Sequence, residues 1–272
     1  MKITVLMEDT CCRDGLTAEH GFSLYIGTAH HTLLMDTGAS DATWRNAEAL
    51  GIDPGKADTV VISHGHYDHT GGLLTFAESH PTAEIWLRRS AAGAFYHGER
   101  YIGMDPRIAA LPRLHWVDST DEIRLDEELS LFAGADGRTL WPSSNRELTE
   151  RTADGLAVQD SFRHEQNLVI REGGRCVLLS GCAHNGVWNI LSRFSDIFHT
   201  LPDAVVSGFH MARKAGYSPE DIFDMEEMAR RLADTGVTFY TGHCTGDEAF
   251  SRMQPILGDR LRRIRTGDVI EL

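Results

Sequence analysis

Residues 58–72 constrain the chain more than any other stretch: Asp-Thr-Val-Val-Ile-Ser-His-Gly-His-Tyr-Asp-His-Thr-Gly-Gly. The apolar run Val60, Val61, Ile62 has the length and β-branching of a buried strand. His64, His66, Asp68 and His69 follow at once. Gly71 and Gly72 then lead into Leu73, Leu74, Phe76 and Ala77, a helical pattern. A strand that delivers three imidazoles and a carboxylate to one turn fits an α/β sheet, where ligand sites lie at the C-terminal ends of strands. Neutral imidazole nitrogen and carboxylate oxygen suit zinc, iron or manganese. His64 and His66, two apart, can share one cation, while Asp68 and His69 address a second position further round the bend. Two cations about 3.5–4 Å apart can clamp the oxygens of a displacement reaction. Ser63 and Thr70 flank the cluster as supporting donors. A polar loop whose histidines cap the next helix would explain one histidine, not this spacing.

Three further strands end in histidine. The apolar run Cys176 to Leu179 leads into Ser180-Gly181-Cys182-Ala183-His184. Asn185 can cap the helix that follows, whose Val187, Ile190, Leu191 and Phe194 share one face. Val205 and Val206 lead to Ser207-Gly208-Phe209-His210, and the strand Val237 to Tyr240 leads to Thr241-Gly242-His243-Cys244-Thr245-Gly246. His184 and His243 are expected as ligands. His210, facing the same rim, is expected to orient substrate or donate a proton, because imidazole titrates near neutrality; a plain loop histidine is the other reading. His164, just before a strand, is a reserve ligand.

The stretch His64-Gly65-His66-Tyr67-Asp68-His69 with Gly71-Gly72 resembles the signature of metallo-β-lactamase-fold hydrolases. Met35-Asp36-Thr37-Gly38, the turns at His184 and His243, and Gly208-Phe209-His210 extend the resemblance over nearly the whole chain. Together they are most similar to the branch called dihydropterin-ribofuranosylaminobenzene-phosphate synthase-like. The resemblance implies a four-layer αββα sandwich of two mixed sheets. His64, His66 and His184 are then expected to hold one divalent cation, and Asp68, His69 and His243 the other, with zinc foremost and iron or manganese as alternatives. By resemblance Asp36 is a buried carboxylate supporting the metal loop; as a local signal it reads equally as the N-terminal acid of a helix over 41–50. Many relatives carry a bridging Asp where this chain has Cys182, which is either a thiolate ligand or a small buried hydrophobe. The expected activity is hydrolysis of a small-molecule ester, lactone or phosphodiester by a hydroxide held on the metals, with Asp68 orienting it and His210 protonating the leaving group. Two other readings stand beside it. One is a pterin-linked condensation that expels pyrophosphate; the other is a metal- or ligand-binding sensor without turnover.

Composition narrows the partners. A net charge of −14 argues against a nucleic-acid footprint, which needs clustered Lys and Arg. No run approaches the roughly 18 apolar residues of a membrane span. Met1 to Asp9 alternates like a strand and lacks the apolar core of a signal peptide. Five cysteines make no even disulfide framework, as expected in a reducing cytoplasm. The 272 residues are expected to form one domain. Strands are expected over 2–7, 22–26, 32–35, 83–87, 114–117, 129–132, 167–170 and 262–270. The clearest helix is 218–235, with Ser218 as its cap and Pro219 as its first residue. His30 and His31 are expected in an exposed hairpin. Residues 90–112 have no clean period and read as a lid or pocket wall, or else as a helical hairpin. Residues 133–166 read as a long connection. The two halves share a coarse strand-strand-helix echo, which predicts a pair of similar sheets.

Overall fold

A computed structural model describes residues 1–272. Its contacts gather the chain into two compact units. The first comprises Met1–Ser119, Leu148–Gln166 and Ile264–Leu272; the second comprises Thr120–Glu147 and Asn167–Arg263.

The first unit carries a seven-stranded mixed sheet. Its order is Val269–Glu271, Lys2–Met7, Ser23–Gly27, Thr32–Met35, Thr59–Val61, Glu84–Arg88 and Leu114–Val117. The first three junctions are antiparallel and the last three parallel. Parallel neighbours need crossover connections, and the helices Ala42–Ala49 and Leu73–Ser79 lie in two of them. Leu6, Leu34, Val60, Ile62, Ile85 and Leu87 form a core with Ala47, Leu73 and Phe76 of those helices. Val60 and Val61 are both fully buried, which is why that strand reads as a continuous apolar run rather than an alternation.

The second unit repeats the design. Its sheet runs Leu261–Arg263, Thr238–Thr241, Ala204–Val206, Arg175–Leu179, Gln166–Glu172, Leu129–Ala133 and Ile123–Arg124. Three parallel junctions again adjoin an antiparallel hairpin, so the echo between the halves is real. Val169, Leu178, Val205 and Phe239 pack with apolar residues of the helices Val187–Phe198, Pro219–Thr235 and Asp247–Leu257. The helix Pro219–Thr235 has the expected ends. Ser218 and Asp221 form a reciprocal capping box, and Gly236 closes the helix at φ +76°.

Several expectations change. Residues 90–112 and 133–166 are not merely irregular. Ala94–His97, Arg100–Tyr101, Leu148–Arg151 and Ala157–Gln159 pair into a four-stranded sheet within the first unit. Strands of two to four residues are too short to show a period. Tyr101, Gly103 and Arg107 line, with Tyr67 and Thr70, an open groove of about 610 Å³. Asn185 does not cap its helix. That helix starts at Val187 after Gly186, and the Asn185 carbonyl accepts from Asn189 Nδ2 at 2.8 Å. The final stretch holds two strands, not one, and the helix Asp247–Leu257 had no sequence expectation. His30 is exposed as expected, but His31 is half-buried with Nδ1 3.1 Å from Asp58 Oδ1. No helix is long and apolar enough to cross a membrane.

Candidate metal-binding residues

In the first unit the strand Thr59–Val61 ends and the chain turns sharply into the one-turn helix Tyr67–Thr70. His64, His66, Asp68 and His69 are all buried on that turn. The turn is tied down by its own backbone. The His69 carbonyl accepts from Thr37 N at 2.8 Å and from Thr37 Oγ1 at 3.0 Å, and the His66 carbonyl accepts from Thr70 Oγ1 at 3.0 Å. Gly71 is required here because a Cβ would sit 2.0 Å from the Ala39 carbonyl oxygen.

Asp36 decides between its two readings. It is fully buried at φ +59° and takes no part in capping the helix Ala42–Ala49. Its carboxylate accepts from Ser63 N at 2.7 Å and Ser63 Oγ at 2.6 Å, and lies 2.6 Å from His69 Nδ1. A carboxylate on one ring nitrogen fixes the tautomer and leaves the other to coordinate. His69 Nε2 indeed lies 3.6 Å from Asp68 Oδ2. His64 shows the same arrangement, with Nδ1 2.9 Å from Ser63 Oγ and Nε2 3.1 Å from His66 Nδ1. Two nitrogens bound to one tetrahedral zinc sit about 3.3 Å apart, given Zn–N bonds of roughly 2.0–2.1 Å, so this spacing fits a shared cation. Burial pushes the His66 pKa down to about 4, against the opposing pull of Asp160. The ring is therefore neutral at neutral pH, the form that binds metal.

In the second unit, His184, Cys182, His210, His243 and Cys244 lie on three turns that follow parallel strands. Three of these turns' residues have left-handed backbones without being glycine: Ala183 at φ +51°, His210 at +46° and His243 at +47°. Such conformations persist where surrounding contacts compensate, and they cluster at functional sites. The contacts are visible. Gly208 N donates to the Gly181 carbonyl at 2.8 Å, Ser207 Oγ to the same oxygen at 3.1 Å, and Phe209 N to Thr245 Oγ1 at 2.9 Å. His184 Nδ1 lies 2.9 Å from Asn145 Oδ1, while Asn145 Nδ2 donates to the His184 carbonyl at 2.7 Å. The Asn145 contact thus fixes the His184 ring as Asp36 fixes that of His69. The His210 ring packs on that of His184 with centroids 4.1 Å apart. Its carbonyl accepts from Ser144 Oγ. The donor atoms of Cys182, His184 and His210 all lie within 4.8 Å of one another. Cys244 accepts from His210 N at 3.3 Å and donates to the Cys182 carbonyl at 3.7 Å. Burial alone raises its thiol pKa, but the Cys182 thiol, the His243 charge and His210 outweigh burial and hold it well below the usual value.

Four residues that support these turns were not singled out as such from sequence. His164, the reserve ligand, is buried with Nδ1 accepting from Gly65 N at 3.1 Å and Nε2 3.2 Å from Asp160 Oδ2. With both nitrogens engaged, it braces the turn that carries His64 and His66. Burial raises the Asp160 pKa, yet His164 and His66 hold that carboxyl below its ordinary range. Gln166 Nε2 reaches the carbonyls of Ile62 at 2.8 Å and Trp86 at 3.0 Å. His20, exposed, sits between Asp9 at 2.9 Å and Asp68 at 3.5 Å. Only His164, just before a strand, carries a local signal. Asp160, His164 and Asn145 lie in the stretch with the weakest pattern.

The family model described as the metallo-beta-lactamase superfamily matches residues 16–139. The crystal structure of Tm1679, a metal-dependent hydrolase of the beta-lactamase superfamily, is 32% identical with a TM-score of 0.85, covering 100% of this chain and 99% of that one. The 7,8-dihydropterin-6-methyl-4-(beta-D-ribofuranosyl)-aminobenzene-5'-phosphate synthase of Methanocaldococcus jannaschii is 25% identical, covering 100% of this chain and 96% of its own. Zn(2+)-bound PqqB from Methylobacterium extorquens, 13% identical over 100% of both chains with a TM-score of 0.61, shares the fold. With these motifs, these sheets and a full-length relative above 30% identity, the chain belongs to the metallo-β-lactamase superfamily and has its mixed α/β fold.

Proposed function

We propose that the protein is a metal-dependent hydrolase of small-molecule esters, lactones or phosphodiesters. The observation that carries this reading is the anchored imidazole. His64, His69 and His184 each have one nitrogen held by Ser63, Asp36 or Asn145, which directs the other outward as a ligand. The proposed ligands are His64, His66, Asp68 and His69 of the first unit and His184 and His243 of the second. Nitrogen and oxygen donors of this kind suit two zinc ions, or iron or manganese. A bound cation of this class supplies a nucleophile from water at neutral pH and withdraws charge from the attacked carbonyl or phosphoryl group.

The chain's own groups do the rest. Asp68, held at the start of the helix Tyr67–Thr70, accepts a hydrogen bond from the attacking water and fixes its direction. His210 hands a proton to the leaving atom, from the rim of the second unit's strand ends. The acidic chain, at −14 net charge, favours compact substrates over polyanions. The full-length similarity to a dihydropterin-linked synthase supports a second reading, a condensation that expels pyrophosphate.

The test is a panel of phosphodiester, carboxylic ester and lactone substrates, run with metal-loaded and chelator-treated protein. Turnover of one class that chelator abolishes and zinc restores is expected. Silence on all three, with pyrophosphate release from a pterin diphosphate donor, would transfer the assignment to the synthase reading. Stoichiometric metal binding with no reaction of either kind would leave a binding protein.

A further inference from the structure

The second unit contains a sulfur donor that the ligand set above leaves out. Cys182 is 2% exposed and sits in the turn that follows the strand Arg175–Leu179, three residues past its end. Its sulfur lies within 4.8 Å of donor nitrogens of both His184 and His210. Ala183, between Cys182 and His184, has the left-handed φ of +51°. The left-handed kink at Ala183 bends the chain so that the side chains of Cys182 and His184 fall in the same cluster. The turn is then held from both sides. Gly181 accepts two hydrogen bonds, from Gly208 N and Ser207 Oγ, and the Cys182 carbonyl accepts from Cys244. Surroundings this fixed are what a ligand needs and what a mere space-filling thiol does not.

We propose that Cys182 is a thiolate metal ligand, coordinating together with His184. This rests on the metal-dependent reading above and deepens it. On coordination the S–H bond breaks, the proton passes to solvent and the sulfur donates a lone pair to the cation; no oxidation is involved. A thiolate also selects the metal. Sulfur favours zinc, cobalt or ferrous iron over manganese, magnesium or calcium. Cys244 is the positioning residue beside it. It touches the backbone of Cys182 and His210 and fixes how the two turns sit.

The full-length protein, stripped with chelator under reducing conditions, is titrated with cobalt(II). Wild type is expected to show visible d–d bands together with a near-ultraviolet sulfur-to-cobalt charge-transfer band. Cys182→Ser is expected to lose the charge-transfer band and keep the d–d bands, with an unchanged far-ultraviolet circular dichroism spectrum. Cys244→Ser and His210→Asn are expected to keep both. A wild-type spectrum with d–d bands and no charge transfer overturns the proposal without any variant, and leaves the metal-dependent reading in place. A band lost in Cys244→Ser but kept in Cys182→Ser also overturns it. If wild type binds no cobalt, the metal-dependent reading itself fails.

Discussion

Asp36 is fully buried at φ +59° and takes three hydrogen bonds, two from Ser63 and one shared with His69. Replacing it with Ala leaves buried donors without an acceptor, each costing about 1–3 kcal/mol. Asp36→Ala is therefore expected to lose roughly 3 kcal/mol or more by urea denaturation, which follows from that same range. Asp36→Asn keeps an acceptor for Ser63 but no longer fixes the His69 tautomer, so stability falls less while metal affinity falls about 10–100-fold. Undiminished affinity in Asp36→Asn, measured by competitive chelation, would deny the tautomer role. Asp68→Ala makes a different demand. It is expected to lower turnover by about 10²–10⁴-fold, the usual range for a positioned acid or base, with the thermal midpoint of the chelator-stripped protein nearly unchanged. Undiminished turnover would remove Asp68 from the mechanism. At this scale the sequence was readable where the signal is contiguous, as in His64 to His69. Asn145 and Gln166 were not readable, because they act on partners 39 and 104 residues away. Nothing in the local pattern marks such a side chain as different from any surface amide.

The helix Pro219–Thr235 and the turn Ser207–His210 show what an element can and cannot disclose. The helix was legible because capping is local: Ser218, Pro219 and Asp221 lie within four residues. Ser218→Ala is expected to cost about 1 kcal/mol. Asp221 adds a pH dependence. Burial raises its pKa, but hydrogen bonds from Ser143 and Ser218 and the charge of Arg213 outweigh burial and hold it below the ordinary carboxylate value. A depressed folded pKa means its contribution is full above the unfolded value of about 3.9 and is lost as pH falls through the folded one. Asp221→Asn should thus be less stable than wild type at pH 7, and the gap in urea midpoint should close below about pH 4. A gap of constant size across that range would mean the charge plays no part. The short strands at Ala94–His97 and Leu148–Arg151 were not legible, since their pairing is settled by partners about fifty residues apart. The same holds for Gly208. Its role appears only in three dimensions, where a Cβ would meet Cys244 Sγ at 2.4 Å. Gly208→Ala is expected to destabilise by about 1–3 kcal/mol through overpacking, and Gly208→Ala combined with Cys244→Ala should recover much of that loss.

For the molecule as a whole, the echo between the halves was visible as repeated strand-turn-histidine order, because each unit follows the same plan of a hairpin joined to three parallel steps. The chain's charge of −14 bears on how metal affects stability. Like charges repel in the compact state, so any cation added to the solvent stabilises by screening. A ligand-bound cation does more, since it binds the folded chain and not the unfolded one. At a free concentration of 100 times the dissociation constant that linkage contributes about 2.7 kcal/mol. A chain somewhat above 150–250 residues shifts its midpoint by about 2–4 °C per kcal/mol. Chelator-stripped protein should therefore melt roughly 5–10 °C below the zinc-loaded form, by the same conversion. Screening and coordination separate cleanly in this measurement. Sodium chloride or magnesium chloride at matched ionic strength should recover little of the shift, whereas micromolar zinc should recover all of it, and less in Asp36→Asn. A melting midpoint that responds equally to all three salts would mean that the cations act on the charge of the surface, and that the buried histidines hold no metal.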